Sequence, residues 1–170
     1  SPGISGTVRL RTLHERTRDM AIEKIALSDL PPQTRQLVDR AKGAVANRNF
    51  SYAIEMLRSI LASHPGCIEV RKLLRTAQIE RVGGRVNSVS RKMAQVKTAF
   101  PLNVRGPSLL KKGKMTEALE LAEEVLTVDP TAVSALHFLH RTAAAAELTE
   151  IAADALELCL RFHPKHQPTL

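Results

Sequence analysis

The fold is decided by two stretches that share one pattern: TEALELAEEVLTVDP at residues 116–130 and EIAADALELCLRFHP at residues 150–164. In each stretch the apolar residues recur at spacings of three and four, which is the period of one buried helix face. Each stretch ends in a proline, which stops a helix because it lacks an amide donor and clashes with the preceding turn. Residues 51–65 repeat this pattern, and no strand-like alternation competes with it. The sequence therefore predicts an all-α chain.

The prolines that end these stretches also reveal a repeat. Pro130 and Pro164 lie 34 residues apart, and we number each unit so that its proline has position 32. Position 20 is then alanine in three units: Ala53, Ala118 and Ala152. This pattern, with Ala41 at position 8 of the first unit, resembles the tetratricopeptide repeat (TPR), a helix-turn-helix in which small residues at positions 8 and 20 let the helices approach closely. The resemblance implies an all-α fold, a short right-handed α-solenoid of antiparallel helix pairs.

The repeat divides the chain into six segments. We expect an N-terminal extension at 1–30, a TPR-like repeat at 31–66, a degenerate basic helix pair at 67–101, a shortened repeat at 102–131, a further repeat at 132–166, and a tail or the start of another repeat at 167–170. The extension is expected to be either a helix over Val8–Leu27 or a mobile segment. Arg105-Gly106-Pro107 predicts an irregular segment or a very short helix, because glycine loosens and proline breaks a helix interior. The unfinished last unit leaves two alternatives, a longer repeat protein and a homodimer formed through terminal repeat faces.

The positive charge is concentrated in one part of the chain. Of the net charge of +8, residues 67–100 contribute eight basic and two acidic side chains. The basic residues of this stretch are Arg71, Lys72, Arg75, Arg81, Arg85, Arg91, Lys92 and Lys97. As a basic patch they predict binding to nucleic acid phosphates or to an anionic membrane surface, which is the alternative to a protein partner. The stretch Arg71 to Lys97 has no aromatic residue on which a base could stack, which disfavours single-strand recognition.

Signatures of catalysis are missing from the sequence. It has no phosphate loop, no dinucleotide-binding glycine pattern and no serine elbow. His137 and His140 are three residues apart, as are His163 and His166, but neither pair has the ligands that complete a tetrahedral metal site. The glutamates of one helix are expected to form a solvated face: Glu117, Glu120, Glu123 and Glu124. We therefore expect a non-enzymatic protein with no cofactor and no metal.

The two cysteines bear on compartment and reactivity. Cys67 and Cys159 cannot form a disulfide framework, which favours a reducing environment such as the cytoplasm. Cys159 falls at an inward repeat position and is expected to be a packed thiol. Cys67 starts a helix, a position where a thiol pKa can be lowered. The longest uncharged runs fall far short of the roughly 18 apolar residues of a spanning helix, so no membrane span is expected.

The resemblance further implies where a partner binds. Such repeats bind peptides on the concave surface formed by the first helix of each unit. The family's groove positions correspond to Arg35, Val38, Lys42 and Val45 in the first unit, Lys72 and Thr76 in the second, and Ser134, His137 and Arg141 in the last. Cations alternate there with small apolar patches, so we expect a non-catalytic scaffold that binds an acidic peptide or protein. The family's clamp for acidic chaperone tails wants Lys and Asn where this chain has Val38 and Lys42, which disfavours such tails.

Overall fold

The chain folds into successive antiparallel helices. The computed structural model describes residues 20–83 and 88–165, and of residues 88–99 it describes the backbone alone. The helices are α1 (Pro32–Ala46), α2 (Phe50–Ser63), α3 (Ile68–Arg81), α4 (Ser88–Lys111), α5 (Met115–Val128), α6 (Val133–Ala145) and α7 (Thr149–Phe162). Each of α1, α2, α4, α5 and α6 packs against the helix that follows it, and the described ranges contain no strand. The predicted all-α helical-repeat solenoid is confirmed. No helix in the described part of the chain has the length and apolar character needed to cross a membrane.

The same tight turn joins α1 to α2, α4 to α5 and α6 to α7. Arg48, Gly113 and Glu147 occupy equivalent places in these turns, with φ values of 59°, 71° and 62° in the left-handed region. Each donates its amide to the carbonyl three residues earlier, and the next residue donates to the carbonyl five residues earlier. These bonds satisfy the last carbonyls of the preceding helix. Gly113 and Glu147 lie 34 residues apart, so the predicted period reappears as a repeated backbone turn.

Proline ends three helices as predicted. Helix α2 stops two residues before Pro65, α5 two residues before Pro130 and α7 two residues before Pro164. Two other prolines behave differently, because α4 continues through both Pro101 and Pro107.

Helix α4 therefore corrects the predicted irregular segment at Arg105-Gly106-Pro107. An interior proline costs a helix about 3 kcal/mol, and here tertiary packing offsets that cost. Leu102 and Leu109 are buried in the core, and Gly106 lies so close to Phe138 of α6 that a Cβ atom would be 2.8 Å from its ring. The expected boundary between segments 67–101 and 102–131 thus falls inside a single helix.

The buried apolar side chains form two separate clusters. The first belongs to Leu30 and helices α1–α3, with Leu57 and Leu74 among its fully buried members. The second belongs to helices α4–α7, where Leu126 and Leu136 are fully buried. We call these the first half and the second half. They meet where α2 contacts α5 and where α3 contacts α7.

An N-terminal segment, Met20–Leu30, ties the two halves together. Of the two alternatives for the extension, the helix over Val8–Leu27 does not form at Ala21–Ala26, which has no helical structure, and residues 8–19 lie outside the described residues. The amide of Ile22 donates to the carbonyl of Ala146 at 3.1 Å, and the amide of Ile25 donates to that of Gly66 at 3.5 Å. Met20 and Ile22 pack on the second cluster, whereas Ile25 and Leu27 pack on the first.

This segment also shows that three turns lie at the same end of the molecule. Met20 contacts the α4–α5 turn at Gly113, Ile22 bonds to the α6–α7 turn, and Ile25 bonds to the α2–α3 turn. From Met20 to Ile25 the chain can span only about 17 Å. In a regular array, turns within pairs and turns between pairs lie at opposite ends. The continuous α4 replaces two helices and a turn. The turns within the helix pairs of the second half therefore lie at the end of the molecule where a regular continuation of the first half would place the turns between pairs.

Candidate functional site

The first-unit groove residues lie on α1 with different degrees of exposure. Arg35 and Lys42 are exposed, and the Lys42 ammonium is 3.8 Å from Asp39 on the same helix. Val38 is buried in the first cluster and Val45 is half-buried against it. The predicted groove is therefore wrong at Val38, because a side chain enclosed by α1 and its neighbours cannot contact a partner.

The second-unit groove residues lie on α3, a helix that contacts α7. Lys72 and Thr76 are exposed on α3, and the Thr76 hydroxyl donates to the Lys72 carbonyl at 3.1 Å. Burial raises the pKa of Asp154 on α7, and the charges of Lys72 and Arg75 oppose that rise. The outer side of α3 is thus electrostatically coupled to the second half of the protein.

The last-unit groove residues line an open groove. Ser134, His137 and Arg141 follow one face of α6 at spacings of three and four, and they face Leu102, Asn103 and Pro107 of α4. This α4–α6 groove has a volume of about 360 Å³. Phe138 and Leu102 form its apolar floor, both of them buried, while Arg141 is exposed at the rim. The structure therefore brings together the three residues that the sequence assigns to this unit.

Local packing fixes the shape of the α4–α6 groove. Gly106 lets the backbone of α4 approach the ring of Phe138, which a side chain at that position would prevent. His137 Nε2 lies 3.4 Å from the Sγ of Cys159 on α7. Burial raises the pKa of the Cys159 thiol, so this position holds a protonated, packed side chain as predicted. Contacts with α4 and α7 therefore hold the α6 wall of the groove in place.

An exposed apolar strip continues the groove along α4. Phe100 and Val104 are 71% and 56% exposed, and they share a helix face with Asn103 and Pro107 at spacings of three and four. Exposed apolar side chains grouped beside a groove are typical of interaction surfaces, whereas single ones are common on any protein. The position of α4 was not predicted from the sequence, so this strip was missed.

Three arginines of the predicted basic patch bond to residues of α5, and two of the three are buried. Arg71 and Arg75 are 2% and 3% exposed, and both donate to Glu123 Oε1 of α5, at 2.8 Å and 3.0 Å. Arg81 donates to the carbonyl of Thr127. Arg85 lies outside the described residues, as do the side chains of Arg91, Lys92 and Lys97. The predicted basic patch is therefore wrong at Arg71 and Arg75, because a guanidinium enclosed with a carboxylate cannot reach phosphates or lipid.

These contacts form a buried polar cluster, which we call the Arg–Glu junction: Arg71, Arg75 and Gln78 of α3 with Glu123 of α5. Gln78 Nε2 donates to Glu123 Oε2 at 3.4 Å and to the Thr127 hydroxyl at 3.0 Å. Burial alone would raise the pKa of Glu123, but the charges of Arg75 and Arg71 outweigh it and lower the pKa. Glu123 is therefore ionised at neutral pH and joins the two halves.

The solvated face expected for the α5 glutamates is wrong at Glu123, which is 2% exposed. A signal for this was present in the sequence. Arg71, Arg75 and Gln78 repeat at spacings of four and three, the same period as an apolar core stripe. Such a polar stripe predicts a facing partner as readily as it predicts a solvated surface.

The remaining candidate groups have local partners. Burial raises the pKa of the Cys67 thiol, which excludes the lowered pKa that a helix start can produce, and the Cys67 Sγ lies 3.5 Å from Glu69 Oε2. His140 Nδ1 lies 3.0 Å from the Ala152 carbonyl, and His163 Nε2 lies 2.6 Å from the Thr131 carbonyl. Within residues 20–83 and 88–165 there is no cluster of three or more side chains suited to a metal ion.

Comparison with known proteins adds no assignment to this geometry. No family model, curated protein or solved structure matches the chain. The α4–α6 groove and the Arg–Glu junction are therefore interpreted from their own contacts. Of the two, the groove is open and the junction is closed.

Proposed function

We propose that this chain is a non-catalytic protein-interaction scaffold, an irregular array of TPR type, that binds an acidic peptide segment in the α4–α6 groove. The observation that carries the proposal is the groove itself. It joins an apolar floor, made by Leu102 and Phe138, to an exposed guanidinium at the rim, Arg141. The repeated turns at Gly113 and Glu147, 34 residues apart, support the array.

The side chains of the groove suit a peptide with both carboxylates and apolar residues. The Arg141 guanidinium can donate two parallel hydrogen bonds to one carboxylate, which makes arginine a frequent anchor for acidic segments. None of the described side chains that line the groove is acidic, so a carboxylate meets no like charge there. An apolar side chain between the acidic residues would rest on the exposed ring of Pro107. The exposed strip of Phe100 and Val104 would extend that contact along α4.

We also propose a reducing compartment, such as the cytoplasm, as the place of action. Cys67 and Cys159 are both unpaired thiols, and both are buried. Free buried thiols are usual in compartments where disulfides do not form. A measured redox state of the two thiols in cells tests this proposal, and a disulfide to another chain would contradict it.

A selection from a displayed random peptide library tests the binding proposal. The selected peptides should be rich in Asp and Glu interspersed with apolar residues. Arg141→Glu should weaken their affinity at least about tenfold, because it places a like charge at the rim. The matched control is Arg40→Glu, which reverses an exposed charge on α1 and should leave affinity within about twofold.

Two results would overturn the proposal. One is a selection with no preference for acidic residues. The other is an affinity that Arg141→Glu leaves unchanged. Circular dichroism of both variants shows whether the helices persist, so that a loss of binding is not confused with unfolding.

A further inference from the structure

Helix α4 lacks one backbone hydrogen bond at the wall of the α4–α6 groove. Pro107 lies inside the helix and has no amide hydrogen, so the helical bond to the carbonyl of Asn103, four residues earlier, cannot form. Asn103 and Pro107 are both exposed, and both line the groove. The missing bond therefore lies on the groove side of α4, and the Asn103 carbonyl keeps its capacity to accept a hydrogen bond.

This carbonyl is distinct from the other backbone acceptors of the groove walls. Every other groove-lining residue of α4 and α6 has an amide donor four residues later within its own helix, and α6 contains no proline. In the free protein, water can bond to the exposed Asn103 carbonyl. A partner that covers the carbonyl must supply a donor itself, because a buried acceptor without a donor is unfavourable.

The opposite wall of the groove has the complementary property. The guanidinium of Arg141 has five N–H donors and no acceptor, and its side chain is exposed at the rim. The groove thus has an acceptor on α4 and donors on α6, with Leu102 and Phe138 between them as the apolar floor. A ligand that uses both walls needs an N–H group for one and a carboxylate for the other.

An extended peptide segment supplies this combination and a helical segment does not. Each non-proline residue of an extended segment has a free backbone N–H group, whereas the N–H groups of a helix are bonded internally after the first turn. From Asn103 to Pro107 the helix α4 rises by about 6 Å, the length of about two extended residues. One backbone N–H of an extended segment can therefore reach the Asn103 carbonyl.

We propose that the partner segment binds in an extended conformation and donates one backbone N–H to the Asn103 carbonyl, while one of its carboxylates binds to Arg141. This mode of binding rests on the proposed function and specifies how the acidic segment lies in the groove. Pro107 is then a specificity-determining residue, because it leaves the carbonyl free for the partner. An alanine at this position would bond to the Asn103 carbonyl with its own amide.

Ester analogues of the tightest-binding peptide from the library selection test the proposal. In each analogue one backbone N–H is replaced by oxygen, which removes a donor with little change of shape. One ester should lower the affinity for the wild type at least about fivefold, the effect of one hydrogen bond. The same ester should change the affinity for Pro107→Ala by less than about twofold. Comparing the two effects separates this hydrogen bond from the contact of the Pro107 ring with the peptide.

The matched control is Pro101→Ala. Pro101 is also inside α4 but does not line the groove, so this variant should show the same ester effect as the wild type. Both alanine variants should melt at or above the temperature of the wild type, because each regains a helical hydrogen bond. A change in binding is then not confused with unfolding.

Two results overturn the extended mode of binding. One is a wild type whose affinity no ester lowers, a measurement that needs no variant. The other is an ester effect of equal size in the wild type and in Pro107→Ala. If Arg141→Glu still weakens binding in either case, the acidic-peptide scaffold stands and only the extended mode fails. If Arg141→Glu has no effect, both proposals fail.

Discussion

Helices α3 and α6 carry similar polar stripes and use them in opposite ways. Each stripe has three residues at helical spacing: Arg71, Arg75 and Gln78 on α3, and Ser134, His137 and Arg141 on α6. The α3 stripe is enclosed and bonded to Glu123, whereas the α6 stripe lines an open groove opposite α4. The composition of a polar stripe therefore does not determine whether it forms a buried contact or lines an open groove. The role depends on whether a facing helix supplies the counter-charge.

The two stripes should therefore respond differently to substitution. Changes in the α3 stripe or at Glu123 should alter the free energy of unfolding, because they leave a charge buried without its partner. Changes at Arg141 should alter partner affinity with little effect on stability, because its side chain is exposed.

The largest effect is expected from Glu123→Ala. It leaves Arg71 and Arg75 buried without a carboxylate, which should lower the free energy of unfolding by about 3–5 kcal/mol. Urea unfolding measures this value. The matched control is Glu120→Ala, one turn earlier and exposed on the same helix, which should change stability by less than about 0.5 kcal/mol. Equal losses in both variants would contradict the buried junction.

The next largest effect is expected from Gly66→Ala at the N-terminal segment. A Cβ atom there would lie 1.9 Å from the Glu23 carbonyl oxygen, so the segment must shift away, at a loss of about 1–3 kcal/mol. Hydrogen exchange at the Ile25 amide should also become faster, because its bond to Gly66 is disrupted. Gly43→Ala is the control. Its Cβ would meet nothing within 4 Å, and it should stabilise α1 by about 0.5–1 kcal/mol. An unchanged hydrogen-exchange rate at the Ile25 amide would mean that the N-terminal segment does not hold the two halves together.

Acid should weaken the junction by a smaller amount. The pKa of Glu123 is lowered in the folded protein, so the unfolded chain binds a proton at higher pH than the folded one. Its stabilising contribution is complete above the unfolded pKa of about 4.3 and is lost as pH falls through the lower folded pKa. Denaturant unfolding from pH 6 to about pH 3 should show a steeper loss for the wild type than for Glu123→Gln.

Glu120→Gln is the control for this pH dependence and should keep the wild-type slope. Burial raises the pKa of Asp154, which affects stability in the opposite direction, and Asp154 is present in every variant compared. The difference between the Gln variants therefore isolates Glu123. Identical slopes for Glu123→Gln and the wild type would show that Glu123 does not titrate differently on folding.

The smallest effect is expected when the charges of the junction are removed together. The triple substitution Arg71→Met, Arg75→Met and Glu123→Leu leaves no buried charge at the junction, and such replacements are often neutral or stabilising. Its free energy of unfolding should therefore be at least that of the wild type within about 1 kcal/mol. A loss as large as that of Glu123→Ala would mean that the ion pairs of the junction contribute net stability, instead of only offsetting the cost of burying their own charges.

Local sequence patterns predict the parts of this fold that depend on local forces. The helix ends before Pro130 and Pro164 and the buried Cys159 follow from helical period and proline chemistry. The 34-residue spacing returns in the turns at Gly113 and Glu147.

The features that local patterns miss depend on contacts between distant residues. Arg71 and Arg75 meet a glutamate 52 and 48 residues away, and no local pattern states which helix will face them. Helix α4 continues through two prolines because Leu102 and Leu109 are buried and because Gly106 fits against Phe138 of another helix. Tertiary packing therefore overrides the low helix propensity of this proline-containing segment. Because α4 is continuous, the turns within helix pairs lie at the opposite end of the molecule after it.

The most direct measurement is amide chemical-shift mapping of the wild-type protein while the tightest-binding peptide from the library selection is added. We predict that the shifts concentrate at residues 100–107 of α4 and 134–141 of α6, while the amides of Arg71, Arg75 and Gln78 stay unchanged. Shifts centred on the α3 stripe, or spread evenly over the protein, would contradict the assignment of the open stripe to binding and the closed stripe to the junction.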